Sequence, residues 1–314
     1  MVLLPAELLL RYRDKIVTIP FATYSERLFR DTFIQGAELF LAPDGIYALP
    51  FSVDPLVMYY NRDMLEAGGF TAAPRFWDEF LALGAKLTRR DASGNISRSA
   101  VALGEYRNID ASTEIIAAMF IQSGNRIVDR DGRGVFYSVL AQSSAPAVLD
   151  FYTEFANPLK PSYSWNRAQP SSRSAFLASR LAIYFGFGSE YSALRQGNPN
   201  LNFDVTFFPG PRSDNELGIT YGKLTGIAIL RSSLSPSAAL GAAFTLTGGN
   251  ATARFRELSG LPPVRRALLG VKPTDAQGSI LFDSALRARG FLDPNPSESR
   301  QVFRTMIESI TSGK

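Results

Sequence analysis

The chain has 314 residues, 46% of them hydrophobic, which is enough to bury a substantial core in two lobes or in one large domain. Its net charge of +4 is small for this length, and its basic residues are scattered, which argues against a nucleic-acid partner. The absence of cysteine and histidine excludes structural zinc, a thiol nucleophile, haem ligation and Ser-His-Asp catalysis, so any metal would be a hard cation held by oxygens.

The first part of the chain is predicted to be helical, over residues 5–12 and again over residues 25–40 behind Ser25, which suits an N-cap. From residue 46 the spacing of apolar residues changes from a helical to an extended pattern. Residues 46–49 and 56–60 are predicted as two short extended segments joined by a proline-flanked turn. A helix over residues 61–67 follows and is ended by two glycines.

The rest of the chain alternates between helix and strand. Helices are predicted over residues 75–90, 112–122, 145–155, 236–247, 251–258, 276–289 and 297–312, with another from Ser189. Strands are predicted over residues 181–185, 202–208 and 226–230. This alternation predicts α/β lobes rather than a helical bundle or a β-sandwich.

A hairpin is predicted around the segment DRDGRG, residues 129–134. Asp129, Asp131 and Gly132 resemble the start of a calcium loop, but no glutamate closes the loop at the required distance. We therefore interpret the segment as a plain turn and predict no metal and no cofactor.

Asp54 is the feature of the sequence that most needs an explanation. It lies in the apolar stretch YALPFSVDPLVMYYN, and a buried carboxylate must be solvated, paired or used by a ligand. A cap or an ion pair at a strand end explains it as well as a ligand does.

Aromatic residues are the second clue, because many of them fall at segment ends beside glycine, proline or serine. Aromatic faces together with a few acids suit carbohydrate, whose rings offer an apolar face and a rim of hydroxyls. Trp165 lies in the polar, proline-broken segment PSYSWNRAQPSS, where a tryptophan has little intramolecular reason to be.

The longest distinctive segment of the sequence is GIYALPFSVDPLVMYYNRDMLEAGGFTAAPRFWDEFLALGAKLT. It is followed in order by AFLASRLAIYFGFGS, NFDVTFFPGP, YGKLTGIAIL and SPSAALGAAFTLTGGNATARFRELSGLPPVRRAL. This ordered set resembles the family 1 extracellular solute-binding proteins of ABC importers, the group that includes maltose-binding protein, and the first segment is similar to that family's first lobe crossing and the helices after it. The resemblance covers nearly the whole chain from Ile46 onward.

The resemblance implies an α/β, two-lobed periplasmic-binding-protein-like fold of type II, with hinge crossings and a cleft that closes on a ligand. We expect the first lobe over residues 1–53, the second over 54–220, a return to the first over 221–269, and C-terminal helices over 270–314 packed on the second lobe. The family also has elements that precede its first crossing and have no counterpart here, so the first lobe is expected to be incomplete at its N-terminus.

The resemblance further implies the site residues. Asp54 falls where maltose-binding protein has an acid that bonds sugar hydroxyls at the first crossing, and Asn108 and Asp110 fall in a cleft loop. Gly188, Ser189 and Tyr191 match a turn that often presents an aromatic ring to the ligand, and Tyr221 and Gly222 match the second crossing. Trp165 is added only because a tryptophan is unexpected in its polar loop, and the resemblance does not imply it.

The function implied is the non-enzymatic capture of a solute, expected to be an oligosaccharide, and its delivery to membrane permease subunits. The location implied is extracytoplasmic, although the apolar segment in the first eight residues is too short for a signal peptide. Two alternatives stay open. A peptide or polyamine could bind the same fold, or a glycoside hydrolase could pair Asp54 with Glu105 or Glu190.

Overall fold

The computed structural model describes residues 1–130, 136–138, 144–212 and 218–312. The chain divides into two compact units. Unit 1 comprises Met1–Pro55, Arg130–Phe136 and Tyr221–Ser297, and unit 2 comprises Leu56–Asp129, Tyr137–Thr220 and Glu298–Lys314. Both units combine helices with β-sheet.

The described elements alternate between helix and strand along the chain. They include strands at Val2–Pro5, Arg89–Arg90 and Ile96–Val101 that the sequence pattern does not predict, and residues 89–90 were wrongly predicted as the end of a helix. The strands are β1 (Val2–Pro5), β2 (Ile19–Pro20), β3 (Leu41–Ala42), β4 (Gly45–Ile46), β5 (Leu49–Asn61), β6 (Arg89–Arg90), β7 (Ile96–Val101), β8 (Val128–Arg130), β9 (Phe136–Ser138), β10 (Leu181–Phe187), β11 (Phe203–Thr206), β12 (Thr220–Ala228) and β13 (Ala288–Arg289). The α-helices are α1 (Leu9–Tyr12), α2 (Glu26–Thr32), α3 (Arg62–Ala67), α4 (Glu79–Leu87), α5 (Ser112–Gln122), α6 (Ala145–Glu154), α7 (Ser172–Leu177), α8 (Tyr191–Gly197), α9 (Pro236–Leu246), α10 (Gly249–Ser259), α11 (Arg266–Leu269), α12 (Ala276–Arg287) and α13 (Pro296–Thr311). Short 3₁₀ turns are Ala6–Leu8, Arg13–Lys15, Gln35–Phe40 and Gly188–Glu190.

In unit 1, β12 is the central strand. It pairs antiparallel with β1 and with the first half of β5, and β13 also pairs with it. A separate three-stranded sheet has the order β2, β4, β3. Phenylalanine and aliphatic side chains from α2, these strands and α12 form one buried core, which includes Phe29, Phe40, Leu49, Leu224 and Phe282.

In unit 2, the second half of β5 lies between β10 and β11 and pairs antiparallel with both. Strand β10 pairs parallel with β7, and β6 closes that edge of the sheet. Strand β10 is buried along its whole length, which explains its continuous apolar sequence. Tyr59, Tyr184, Phe176 and Phe203 pack with ring centroids 5.6–6.0 Å apart in this core.

Ser25 caps α2 as predicted, since its Oγ accepts a hydrogen bond from the Leu28 N–H. The helix ends at Thr32 because Phe33 is extended, and a 3₁₀ turn follows, so the single helix predicted over residues 25–40 is wrong. The two segments predicted on either side of residues 50–55 are one strand, β5. A register shift at Thr225/Gly226, opposite Pro50, accommodates a proline that has no N–H to donate.

The units also differ from the predicted lobes at two places. Arg130–Phe136 belongs to unit 1, although it was predicted within the second lobe. Residues 270–297 belong to unit 1, and unit 2 takes the chain from Glu298 onward. Arg167 and Arg107 of unit 2 hold α13 there, since they contact Thr311 and Glu308. Of the predicted hairpin over residues 129–134, residues 131–134 lie outside the described part of the chain.

Candidate functional site

The predicted crossings lie where the chain passes from one unit to the other. Strand β5 leaves unit 1 after Pro55, and β12 enters unit 1 at Tyr221. Pro55 is also the register partner of Gly222. Of the predicted site residues, Asp54, Tyr221 and Gly222 therefore lie in unit 1 within two residues of a crossing.

Asp54 is half-buried and lies between Val53 and Pro55, both of which are buried. Its partner in the antiparallel register is Lys223, whose side chain is exposed. Residues in this relation have neighbouring side chains on the same face of the sheet. The carboxylate therefore has a cation beside it.

Tyr221 and Gly222 are both buried in unit 1. The Tyr221 ring meets Phe291 edge-on, with ring centroids 6.4 Å apart. A Cβ atom on Gly222 would lie 2.6 Å from the Ala288 Cβ and 3.3 Å from Val53 Cγ2. Packing against β13 thus accounts for the glycine without a ligand.

In unit 2, the predicted turn Gly188–Tyr191 follows β10 and leads into α8. Glu190 organises this turn, because its Oε1 accepts the Phe187 N–H at 2.7 Å and its Oε2 accepts the Tyr184 hydroxyl at 2.7 Å. Gly188 is buried, and Ser189 is exposed. The turn therefore presents Ser189 to solvent from a fixed backbone.

Tyr191 begins α8 with its ring partly covered. It meets Phe203 edge-on at 5.6 Å, and the Arg195 guanidinium lies 5.5 Å from the ring centroid. One part of the ring is thus occupied by unit 2 itself.

A positive charge also lies beside the turn. The Arg173 Nε is 3.6 Å from Glu190 Oε2. Burial, together with the negative charge of Glu190, raises the pKa of Tyr184 above its ordinary value, so this phenol stays protonated and donates to the carboxylate.

The loop with Asn108 and Asp110 is held by other parts of unit 2. The Asn108 amide donates to the carbonyls of Asn166 and Gln169, each at 2.9 Å. Asp110 Oδ2 accepts the Ser172 hydroxyl and the Arg173 N–H, each at 2.8 Å. Asn108 therefore connects two loops of the unit, and Asp110 connects its loop to the first turn of α7.

The argument for Trp165 is wrong. The side chain is fully buried, with 0% exposure, and its Nε1–H donates to Asn108 Oδ1 at 3.1 Å. The polar composition of the surrounding loop concealed this, because the hydrogen-bond partner of the ring comes from another loop, the one that holds Asn108. Packing and the hydrogen bond to Asn108 explain the position of Trp165, and we do not propose it as a ligand contact.

Sequence reasoning missed Lys223 and underestimated Glu190. Lys223 stands one residue beyond Gly222 in the second crossing, and an antiparallel register of the two crossings would have placed it against Asp54. Glu190 was considered only as a possible catalytic acid. Its position three residues after Phe187, at the start of a helical turn, is a pattern typical of a carboxylate that binds backbone N–H groups.

Within the described residues, no group of three or more acidic, histidine or cysteine side chains could hold a metal ion. Asp131 and Gly132 of the calcium-like segment lie outside them. Every helix in the described ranges is too short or too polar to span a bilayer.

The family model for bacterial extracellular solute-binding proteins matches residues 1–273 of the chain. The chain belongs to this family. A binding protein of Brucella abortus (strain 2308) is 25% identical over 253 residues, which are 79% of this solute-binding chain and 58% of the relative. A binding protein of Brucella suis biovar 1 (strain 1330) matches with the same values. The chain thus spans a little over half the length of these curated relatives.

Solved structures of solute-binding proteins share the fold. The sugar-binding protein MalE from Xanthomonas citri superposes with a TM-score of 0.77 at 20% identity, over 99% of this chain and 78% of that one. UgpB from Mycobacterium tuberculosis, in complex with glycerophosphocholine, has a TM-score of 0.74 at 17% identity, over 100% and 78% of the two chains. The predicted α/β, two-lobed periplasmic-binding-protein fold is confirmed.

Proposed function

We propose that this solute-binding protein is the extracytoplasmic component of an ABC importer, that it captures a carbohydrate, and that it delivers the ligand to membrane permease subunits. The observation that carries the carbohydrate assignment is the pairing of Asp54 with Lys223 beside the points where the chain changes unit. The family description supports the binding role and the location outside the cytoplasm.

A paired carboxylate and ammonium suit a neutral ligand with many hydroxyls. The carboxylate accepts hydrogen bonds from hydroxyl hydrogens, and the ammonium donates to hydroxyl oxygens. Hydrogen bonds to charged groups contribute about 1.5–3 kcal/mol each, which gives strong recognition without a net charge on the ligand.

The MalE structure supports a sugar, and other solute-binding structures of similar fold were solved with maltotetraose and maltotriose. UgpB was solved with glycerophosphocholine, a zwitterion that contains a quaternary ammonium group. This cation is the observation that favours the peptide or polyamine alternative. Lys223 opposes that alternative, because a cation beside Asp54 weakens the attraction of the carboxylate for a second cation.

A hydrolase would need two carboxylates available to a glycosidic bond. The Glu190 carboxylate already accepts from Tyr184 and Phe187, and the Glu105 carboxylate accepts from Arg167. Both of the proposed partners for Asp54 therefore have structural roles inside unit 2. We propose that the protein binds its ligand and does not transform it.

A thermal-shift screen with monosaccharides, oligosaccharides, polyamines and short peptides tests this proposal. A ligand present at about one hundred times its Kd stabilises the folded protein by about 2.7 kcal/mol. We expect stabilisation by a sugar that is lost in Asp54→Asn and retained in Asp14→Asn, an exposed acid in the same unit that serves as the matched control. Stabilisation by cations alone would reject the carbohydrate, and release of product from a chromogenic glycoside would reject the non-enzymatic role.

A further inference from the structure

Unit 2 carries a cluster of cations at one edge of its sheet. Arg89 and Arg90 form the edge strand β6, and Arg98 on β7 is the direct register partner of Arg89. All three side chains are exposed. Two like charges directly opposite each other destabilise a sheet, so this pair has a cost that the fold alone does not explain.

The cluster is not neutralised by nearby acids. In the described part of the chain, no carboxylate lies within ion-pair distance of these three arginines. The adjacent acid, Asp91, uses its carboxylate to accept from Ser93 and Asn95 within its own turn.

A cavity of about 600 Å³ opens beside the cluster, and none of its lining residues is acidic. Arg89, Arg90 and Lys160 line it together with Thr88. Three cations around one cavity match an anion with several oxygens, such as a phosphate group.

An apolar side chain projects from the same place. Leu159 is 90% exposed and lies in the loop Pro158–Pro161 that lines the cavity. The loop is held firmly, since the Leu159 N–H donates to Asn157 Oδ1 at 3.0 Å and the Ser162 hydroxyl donates to Glu154 Oε1 at 2.7 Å. Its close approach to α4 depends on Gly84, where a Cβ would lie 2.6 Å from the Ser162 carbonyl oxygen.

Structural roles account for part of this arrangement. The Arg89 guanidinium donates to the carbonyls of Lys86 and Thr88 at the end of α4, and the Arg90 guanidinium lies 4.9 Å from the centre of the Tyr163 ring. These contacts fix the two arginines in position. They leave unexplained the exposed Leu159 and the presence of Lys160 in the same lining.

We propose that this surface of unit 2 docks on an anionic phospholipid bilayer. Headgroup phosphates occupy the cavity at Arg89, Arg90 and Lys160, and Leu159 enters the boundary between headgroups and acyl chains. A lipid surface fits better than an acidic peptide, because the apolar group is a projecting tip, whereas a peptide would require an apolar recess.

Co-sedimentation of the full chain with vesicles tests the proposal. We expect binding to vesicles of equal parts phosphatidylglycerol and phosphatidylcholine, no binding to pure phosphatidylcholine, and release at high salt. Removal of one cation lowers binding about five-fold, so the double variant Arg90→Gln/Lys160→Gln falls about twenty-five-fold. Leu159→Ser lowers binding about ten-fold.

The matched controls are Arg27→Gln and Leu258→Ser, whose side chains are exposed in unit 1 and which should bind like the parent chain. Equal binding to both vesicle types, or equal losses in the controls, overturns the proposal. Two further probes separate other anions. Stabilisation by inorganic phosphate, or capture by polyglutamate, without vesicle binding would assign the surface to a soluble anion or to an acidic protein and would reject the lipid.

Discussion

Asp54 and Lys223 lie directly opposite each other on the antiparallel strands β5 and β12, beside the two points where the chain passes between its units. The pair answers the question that the sequence raises about a charge in an apolar strand. Strand alternation puts Val53 and Pro55 inside and leaves Asp54 partly open to solvent, next to an exposed cation. Partial exposure and the neighbouring cation therefore lower the energetic cost of a carboxylate in this apolar strand.

Lys223→Gln tests how this pair selects for charge. Without the neighbouring cation, Asp54 should attract cations more strongly, so binding of spermidine should increase while sugar binding falls less than in Asp54→Asn. Isothermal titration measures both. The free energy of unfolding should change by less than about 1 kcal/mol, because the pair is solvated. Lys15→Gln is the control, and unchanged spermidine binding in Lys223→Gln would contradict the electrostatic argument.

Gly222→Ala should destabilise the protein by about 1–3 kcal/mol, since the new methyl group would overlap Ala288 Cβ. Gly241→Ala is the matched control: this glycine is exposed in α9 with nothing within 4 Å, and alanine there should stabilise by up to about 1 kcal/mol. Urea unfolding gives both values. If Gly222→Ala keeps full stability but loses ligand binding, the glycine serves the ligand rather than the packing.

The sequence predicts the order and type of most elements because hydrophobic period is a local signal. The helix Ser112–Gln122 and the cap at Ser25 have the predicted bounds and contact. The prediction of two separate segments in place of strand β5 is wrong, because a strand tolerates a proline only where the paired strand needs no N–H from it. Pro50 lies opposite a register shift in β12, a strand about 170 residues later in the chain.

In the candidate site, too, contacts between residues distant in sequence could not be predicted from local pattern. The polar composition around Trp165 correctly indicates a loop, but only the folded chain shows that this loop buries the ring against Asn108. Gly222 was interpreted as a ligand contact, although its nearest neighbour is Ala288, which no local pattern brings to it. Contacts between segments distant in sequence decide whether a polar or small residue serves the fold or a ligand.

Glu105 should make stability depend on pH in an unusual direction. The side chain is buried beside Arg167, and burial raises the pKa of its carboxyl above the ordinary value despite that partner. The folded chain therefore holds this proton more tightly than the unfolded chain. The stabilisation is fully present below the ordinary pKa and is lost as pH rises through the folded-state pKa.

Glu105→Gln should remove this contribution and be at least as stable as the parent chain at neutral pH. Arg167→Gln should be destabilised by about 1–3 kcal/mol, because it leaves a buried carboxylate without its cation. The double variant should recover most of that loss. Urea unfolding across the acidic and neutral range measures all three. A parent-like loss of stability with rising pH in Glu105→Gln would assign that dependence to another group.

Tyr184→Phe should loosen the turn that precedes α8. The phenol is buried and donates at 2.7 Å to Glu190, and hydrogen bonds to charged groups contribute about 1.5–3 kcal/mol, so unfolding should become easier by about 2 kcal/mol. Tyr12→Phe, whose side chain is partly exposed in unit 1, is the control.

The same network predicts local exchange at one amide. In Glu190→Ala the Phe187 N–H loses its acceptor, so its hydrogen exchange should accelerate more than that of the neighbouring amides in β10. Exchange that rises equally along β10 would indicate global destabilisation instead. Faster exchange confined to Phe187 would establish that Glu190 fixes the backbone from which Ser189 and Tyr191 are presented, whichever solute the protein binds.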